Sequence, residues 1–247
     1  MIRLRNMAVE VPRAGREAIH CTMVPETCPL SPCNYTNVVD ARRRVLVSIL
    51  LLIAVRPGFG AKRPVLVCFG DSITAGYGVA PGKAYPDALQ ARLGRDGYHY
   101  KVINEGTSGA TTKDAVASLP GVLRLHPDVA IVEFGGNDGL RGLPLTDTEK
   151  NLDTVISQLQ AAHVKVLLAG ITLPPNYGPD YIHGFDAIFP VLAAKHHVAF
   201  VPMIYKDLVH VQGTIQPDGI HPTAKGAVMV ADTIWPVLKP LLRKGGF

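Results

Sequence analysis

Two short polar blocks, near opposite ends of the chain, hold the residue types that a nucleophilic hydrolase needs. Gly70-Asp71-Ser72 directly follows an apolar run, and Asp218-Gly219-Ile220-His221 lies near the other end. A serine hydroxyl is a poor nucleophile at neutral pH until a neighbouring base takes its proton. Asp218 and His221 are three residues apart, so one turn can bring the carboxylate to Nδ1 of the ring and leave Nε2 to face Ser72. We therefore predict a catalytic triad of Ser72, His221 and Asp218.

The elements that must position these residues alternate between strands and helices from Lys62 onward. Apolar runs predict five strands, at Val65–Phe69, Lys101–Asn104, Val129–Phe134, Val164–Ile171 and Ala199–Pro202. Helices are predicted at Tyr85–Arg95, Lys113–Leu119, Thr148–Ala162, Phe185–His197 and Thr223–Leu242. Continuous apolar strands between amphipathic helices indicate a parallel sheet covered on both faces. The expected fold is α/β: a three-layer α/β/α sandwich with a parallel sheet of about five strands, and its site outside their carboxyl ends.

The composition suits one α/β domain plus an N-terminal segment, because the chain has 247 residues of which 47% are hydrophobic. The net charge of +5 could suggest a nucleic-acid partner. However, residues 1–61 hold eight basic and four acidic residues, whereas residues 62–247 hold 17 and 16. The basic excess belongs to the N-terminal segment, so no basic face and no nucleic-acid partner are predicted for the domain.

The N-terminal segment, residues 1–61, has the pattern of a leader. Arg42-Arg43-Arg44 precedes an apolar run of 11 residues, 45–55, and small residues follow at Gly60 and Ala61. A charged region, a short apolar run and small residues at the following cleavage site are typical of a secretory signal. The apolar run is shorter than the ~20 residues that are needed to span a bilayer. We predict a leader with a signal peptide at 42–61, cleaved near Gly60–Lys62, and a domain at 62–247 that is periplasmic or secreted without a stable membrane span. An uncleaved anchor, or a buried helix of the domain, is the alternative for the apolar run.

The cysteines predict neither a metal site nor a disulfide in the domain. Cys21, Cys28 and Cys33 all fall in the leader, and their spacings of seven and five do not match paired zinc ligands. Cys68 is then alone in the mature part, which excludes a disulfide there even in an oxidising compartment.

Two further polar blocks follow predicted strands: Asn104-Glu105-Gly106-Thr107-Ser108-Gly109 and Gly135-Gly136-Asn137-Asp138. With the first two blocks, and in this order, they resemble the SGNH (GDSL) hydrolase family, whose four letters correspond here to Ser72, Gly109, Asn137 and His221. The stretches 132–142 and 173–178 also resemble its bacterial thioesterase I, lysophospholipase and arylesterase branch.

The resemblance covers residues 64–243 and carries expectations about activity. It implies the flavodoxin-like SGNH hydrolase fold and a serine esterase that acts on short to medium acyl esters and thioesters, including lysophospholipid or aryl esters. It implies export to the periplasm and no metal or cofactor. In related thioesterases an acidic residue commonly follows the oxyanion glycine, whereas Ala110 stands here, which bears on how that loop is hydrogen-bonded.

The resemblance implies an oxyanion hole formed by Ser72, Gly109 and Asn137, and these residue types suit that role. Attack on an acyl carbonyl produces a tetrahedral oxyanion, and preorganised donors for that charge are often the largest catalytic contribution. The Ser72 N–H, the Gly109 N–H and the Asn137 side-chain amide can supply three donors, and Gly109 allows a close backbone approach because it lacks Cβ. Asp71 is interpreted as holding the nucleophile loop through backbone hydrogen bonds, and Glu133 as a structural carboxylate.

Two loops that follow predicted strands are expected to flank the acyl group, and the predicted substrate-binding residues are Gly139, Leu140, Leu173, Pro174 and Tyr177. A small-molecule acyl ester or thioester is the expected partner, and a monomer the expected state. Two other functions stay open: a carbohydrate O-deacetylase of the same fold, and a non-catalytic lipid- or carbohydrate-binding protein. An α/β-hydrolase is disfavoured, since its Gly-x-Ser-x-Gly turn would need glycine where Thr74 stands.

Overall fold

The computed structural model describes residues 62–244, so the predicted leader and its cleavage site lie outside the described residues. The described part contains a parallel sheet of five strands, in the order β2-β1-β3-β4-β5. The strands are β1 Val65–Gly70, β2 Lys101–Gly106, β3 Val129–Glu133, β4 Lys165–Ala169 and β5 Ala199–Val201. The predicted number and direction of the strands are confirmed.

Helices cover both faces of this sheet. They are α1 Ser72–Ala75, α2 Tyr85–Arg95, α3 Thr112–Leu123, α4 Gly136–Leu140, α5 Leu145–Ala161, α6 Pro179–His196 and α7 Ala224–Leu238, with short 3₁₀ helices at Pro175–Tyr177 and Lys239–Leu241. Helices α2 and α7 pack together on one face, while α5 packs between α3 and α6 on the other. The predicted three-layer α/β/α sandwich is confirmed. Within residues 62–244, no helix is long and apolar enough to cross a membrane.

The apolar content of each strand matches its place in the sheet. Central strands β1 and β3 are buried along their whole length, whereas the edge strand β2 is half-buried or exposed at every residue. A strand that is covered on both faces must be apolar throughout, which is why Val65–Phe69 and Val129–Val132 have no polar alternation.

The strand order places a crevice where the site was predicted. The chain leaves β1 for β2 on one side and then returns to form β3 on the other side of β1, so the loops after β1 and β3 lie at a topological switch point. Gly70 pairs with Gly106 of β2 and with Glu133 of β3. Because these three strands end level with one another, the loops that follow them start side by side.

Candidate active site

Ser72 is the first residue of α1 and lies just beyond the carboxyl end of β1. Asp71 caps this helix: its Oδ1 accepts a hydrogen bond of 3.0 Å from the Ile73 amide, and its own amide donates to the Glu133 carbonyl at 3.2 Å. Gly76 ends the helix in the left-handed conformation, with φ of 80°. The predicted role of Asp71, holding the nucleophile loop through backbone hydrogen bonds, is confirmed.

Asp218 and His221 lie at the tip of a short hairpin, residues 214–223, between β5 and α7. Its stem is closed by hydrogen bonds from the Gln216 amide to the His221 carbonyl and from the Thr223 amide to the Thr214 carbonyl, both 2.8 Å. The Asp218 Oδ1 atom accepts hydrogen bonds from the amides of Ile220, at 2.9 Å, and His221, at 3.0 Å. The aspartate thus builds the turn that presents the histidine.

The structure brings Ser72, His221 and Asp218 into one chain of hydrogen bonds. Oδ2 of Asp218 lies 2.7 Å from Nδ1 of His221, and Nε2 of His221 lies 2.9 Å from Oγ of Ser72. Since an ionised carboxylate can only accept, Nδ1 carries the ring hydrogen and Nε2 accepts from the serine hydroxyl. Desolvation opposes the charged form of Asp218, but the hydrogen bonds from the His221 and Ile220 amides and from the His221 ring outweigh it and lower the pKa of Asp218 to about 2. Asp218 is therefore ionised and able to orient the ring at neutral pH.

The three predicted oxyanion donors differ in what they already contact. Within residues 62–244 the amides of Ser72 and Gly109 have no hydrogen-bond acceptor, so both can donate to another group. Gly109 has φ of 81°, a conformation that favours glycine. The Asn137 Nδ2 atom, in contrast, donates to the Ala110 carbonyl at 3.0 Å and to Oδ2 of Asp71 at 3.1 Å. An oxyanion would have to compete with one of these two acceptors for the Asn137 amide.

The loop that carries Gly109 is held by α4 and the residue that follows it. Asn137 and Arg141 are four residues apart and so lie on one side of this short helix. Asn137 donates to the carbonyl of Ala110, and Arg141 donates to the carbonyl of Gly109 at 2.8 Å. Two consecutive carbonyl groups are thereby fixed, so this loop is hydrogen-bonded without an acidic side chain at position 110.

A buried pair of carboxyl groups lies behind the nucleophile. Asp71 is 2% and Glu133 is 1% exposed, and Oε1 of Glu133 has no hydrogen-bond partner among the described residues. Glu133 Oε2 accepts from the Thr74 hydroxyl at 2.8 Å. Burial raises the pKa of Asp71 to about 6, and burial together with the nearby Asp71 raises the pKa of Glu133 well above its usual range. Glu133 does not line the cleft described next, in agreement with the structural role predicted for it.

A cleft of about 440 Å³ opens beside Ser72. Three of the predicted substrate-binding residues, Leu140, Leu173 and Pro174, line it, whereas Gly139 and Tyr177 do not. Gly139 is buried behind the wall, where an added Cβ would lie 2.5 Å from Cδ2 of Leu173. The Tyr177 hydroxyl donates to the Leu140 carbonyl at 2.8 Å. These two residues therefore support the wall of the cleft rather than form its surface.

Several other residues that follow β4 and β5 also line the cleft and were not predicted from the sequence. They are Ile171, Thr172, Pro175, Met203, Tyr205, Val209, Gly219 and Ile220. Tyr205 also supports the histidine loop, because its hydroxyl donates to the Ile220 carbonyl at 2.9 Å. The position of Met203 and Tyr205 just after β5 is a signal that could have identified them. Among the described residues, no group of three or more His, Cys, Asp or Glu side chains is arranged to hold a metal ion.

Comparisons with known proteins identify the family to which this chain is similar. The profile of the GDSL-like lipase/acylhydrolase family matches residues 68–228. The chain is 39% identical to the protein named Esterase TesA from Pseudomonas aeruginosa over 201 residues, which cover 81% of this chain and 100% of that protein. It is 35% identical to the Thioesterase 1/protease 1/lysophospholipase L1 of Escherichia coli (strain K12), over 85% of this chain and 97% of that one. The crystal structure of TesA superimposes with a TM-score of 0.70 at 41% identity, covering 72% of this chain and 99% of that chain.

Proposed function

The chain belongs to the GDSL-like lipase/acylhydrolase family, and from that premise we propose that it is a serine esterase in which Ser72 is the nucleophile, His221 the general base and Asp218 the residue that orients it. The observation that carries the proposal is the continuous hydrogen-bond chain from Asp218 through His221 to Ser72, with links of 2.7 and 2.9 Å. This chain ends on a hydroxyl group that faces an apolar cleft. The enzyme class, a carboxylic ester hydrolase, follows from the family.

In the first half of the reaction, Oγ of Ser72 attacks the carbonyl carbon of the substrate while Nε2 of His221 takes the hydroxyl proton. The carbonyl oxygen becomes an oxyanion near the amides of Ser72 and Gly109, and Asn137 supplies a third donor. When the tetrahedral intermediate collapses, the bond to the leaving alcohol or thiol breaks and the imidazolium returns the proton to it. Asp218 stabilises the positive charge on the ring during this step.

In the second half, a water molecule takes the place of the leaving group. His221 removes a proton from the water, the resulting hydroxide attacks the acyl-enzyme carbonyl, and the same donors receive the oxyanion. Collapse releases a carboxylic acid and returns the proton to Oγ of Ser72. Every step uses side chains and amides of this one chain, and for this reason we propose that the monomer is active.

The cleft favours an acyl group of several carbons over acetyl. Leu140, Leu173 and Met203 line it, and Ile171 and Val209 add further apolar surface. Each methylene buried there should contribute up to ~0.8 kcal/mol. We propose short to medium acyl esters and thioesters as substrates, the class that includes lysophospholipid and aryl esters.

A chain-length series tests this proposal directly. We expect kcat/KM for p-nitrophenyl esters to rise gradually from acetyl and then to plateau once the cleft is filled. Acyl-CoA and lysophosphatidylcholine, assayed in parallel, identify the leaving group that the enzyme prefers. EDTA should have no effect. Activity confined to acetyl esters, with a steep fall by butyryl, would contradict the proposal and favour a carbohydrate O-deacetylase.

The leader pattern supports a proposal about location. We propose that the protein is exported and that its mature form begins near Ala61 or Lys62, because a charged cluster at 42–44 and an apolar run at 45–55 precede small residues. Intact-mass measurement of protein recovered from the periplasm or medium tests this. A mass that still includes residues 45–55 would indicate an uncleaved anchor instead.

A further inference from the structure

Gln216 lies in the stem of the hairpin that carries Asp218 and His221, and its carboxamide makes two hydrogen bonds to backbone carbonyls. Nε2 donates to the carbonyl of Tyr77 at 2.7 Å and to that of Pro222 at 2.9 Å. The side chain is half-buried and is not part of the lining of the cleft. Both of its amide hydrogens therefore serve the backbone and neither faces the space for the substrate.

The two carbonyls belong to the two segments that must meet for catalysis. Pro222 directly follows His221, while the Tyr77 amide donates to the Ser72 carbonyl at 3.0 Å and so belongs to the turn that ends α1. Within the described part of the chain, two hydrogen bonds join residues 71–78 to residues 214–223. One is the Ser72–His221 contact itself, and the other is the bond from Gln216 to Tyr77.

The turn after α1 packs closely against the side chain of Gln216, whose two hydrogen bonds to the Tyr77 and Pro222 carbonyls form a bridge between the two segments. Gly78 has φ of 73°, and a Cβ at that position would lie 2.2 Å from Oε1 of Gln216. The ring of Tyr77 lies against the ring of His221, with centroids 4.6 Å apart. The turn after α1 therefore leaves space for the carboxamide at Gly78 and contacts the histidine ring through Tyr77.

On the opposite side, the hairpin tip is held by the hydroxyl of Tyr205, which donates to the Ile220 carbonyl. Tyr205 fixes the tip relative to the segment after β5, but it does not fix the distance between the hairpin and α1. That distance determines whether Nε2 of His221 reaches Oγ of Ser72.

We propose that Gln216 is a positioning residue for the reaction: by tying the Tyr77 carbonyl to the Pro222 carbonyl, it holds His221 at hydrogen-bonding distance from Ser72. The proposal rests on the proposed function, because it assumes that Ser72 and His221 are the reacting pair. A displacement of ~1 Å at a reacting centre can cost ~10²-fold in rate. Loss of this bridge should therefore lower kcat, while KM stays unchanged because the lining of the cleft is untouched.

The test compares Gln216→Met, which has a similar length but no donor, with a matched control. Gln90→Met is that control, because Gln90 also joins two backbone groups: Nε2 donates to the Tyr100 carbonyl at 3.1 Å and Oε1 accepts from the Val102 amide at 2.8 Å. These contacts are made to Tyr100, directly before β2, and to Val102 within β2, and neither residue lines the cleft. Steady-state kcat and KM, the rate of labelling of Ser72 by a fluorophosphonate, and thermal unfolding are measured for each protein.

We expect Gln216→Met to lower kcat and the labelling rate together by ~10- to 10²-fold at unchanged KM, and Gln90→Met to leave both rates at the wild-type values. Gln216→Glu is the second test variant if the methionine variant does not fold. An ionised carboxylate has the same shape but cannot donate to either carbonyl, so kcat and the labelling rate should fall by the same factor. The downfield proton resonance of His221 Nδ1–H should persist in the variant, because Asp218 and His221 both lie on the hairpin.

Three results would overturn the role of Gln216: an unchanged kcat in both variants of Gln216, equal losses of rate in Gln216→Met and Gln90→Met, or loss of the Nδ1–H resonance together with activity. The last result would mean that the hairpin itself had collapsed. A wild-type protein that is not labelled at Ser72 would instead contradict the proposed function, so the two failures are distinguishable.

Discussion

Asn137 donates a hydrogen bond of 3.1 Å from Nδ2 to Oδ2 of Asp71, the residue that precedes the candidate nucleophile. Its second amide hydrogen goes to the carbonyl of Ala110, next to Gly109. The loops after β1, β2 and β3 are therefore joined through one side-chain amide. The donor that we propose for the oxyanion also holds the other two donors, Ser72 and Gly109, in place relative to each other.

This arrangement predicts a large effect from Asn137→Ala. We expect kcat to fall by ~10²–10³-fold, the range for loss of one oxyanion donor, with little change in KM because the charge develops only after binding. Steady-state kinetics with a p-nitrophenyl ester measures both parameters.

Asn151→Ala is the matched control for that variant. Its Nδ2 donates to the Thr112 hydroxyl at 3.1 Å, away from the cleft, so kcat should stay at the wild-type value. A large rise in KM for Asn137→Ala at constant kcat would contradict the assignment and make Asn137 a substrate-binding residue.

The buried carboxyl pair predicts how stability depends on pH. Burial raises the pKa of Asp71 from 3.8 to about 6, and the pKa of Glu133 is also raised. The folded state therefore binds protons more tightly than the unfolded chain, so this contribution to stability is present at low pH and is lost as the pH rises from about 4 through about 6 and beyond. Glu133→Gln removes one of the two groups and keeps an oxygen for the Thr74 hydroxyl, so its Tm should fall less than that of the wild type between pH 5 and pH 8.

Thermal unfolding across this pH range measures the effect. Glu149→Gln, at an exposed position on α5, controls for the change in net charge and should follow the wild-type profile. If the Tm profiles of Glu133→Gln and the wild type were parallel, the carboxyl pair would not be the source of the pH dependence.

Replacing an exposed histidine that has a positive φ with glycine should stabilise the domain. His126, His163 and His197 are the residues other than glycine with positive φ in the described part of the chain, at 51°, 61° and 52°. The left-handed conformation destabilises a residue with a Cβ by roughly 1–2 kcal/mol, and glycine avoids this strain. Glycine also increases the conformational entropy of the unfolded chain, which offsets part of the stabilisation. We expect His163→Gly to stabilise the domain by about 1 kcal/mol, which corresponds to an increase in Tm of roughly 2–4 °C.

His163→Ala separates the backbone effect from loss of the imidazole. It removes the side chain but keeps the Cβ, so its Tm should not rise. If the alanine and glycine variants were stabilised equally, the gain would come from the side chain and not from the conformation of residue 163.

Most of the fold could be predicted because the helices and strands follow apolar periodicity, and the exceptions have physical causes. Strand β2 extends two residues beyond its predicted end, because Glu105 and Gly106 pair with Phe69 and Gly70 although neither is apolar. Helix α6 begins at Pro179, six residues before the predicted Phe185. Proline at the first helical position is a start signal, and the first turns of this helix carry few buried side chains that would produce a periodic pattern.

In the candidate site, too, some residues could be predicted from the sequence and others could not. Ser72, Asp218 and His221 could be predicted since their spacing and residue types carry the chemistry. Gln216 could not, because a glutamine in an irregular loop has no periodicity and its partner, the Tyr77 carbonyl, is 139 residues away in the chain. Leu140 lines the cleft, whereas Gly139 lies behind its wall. This difference results from the packing of α4 against Leu173, and no sequence pattern indicates it.

The measurement that tests the central claim most directly is covalent labelling of residue 72. Wild-type protein is treated with a fluorophosphonate, and intact mass and peptide mapping locate the adduct while esterase turnover is followed in the same sample. We predict one adduct, on Ser72, formed in step with loss of activity, and a Ser72→Ala variant that is folded, unlabelled and inactive. Turnover by Ser72→Ala within about tenfold of the wild type, or an adduct on another residue that accounts for inactivation, would contradict the account.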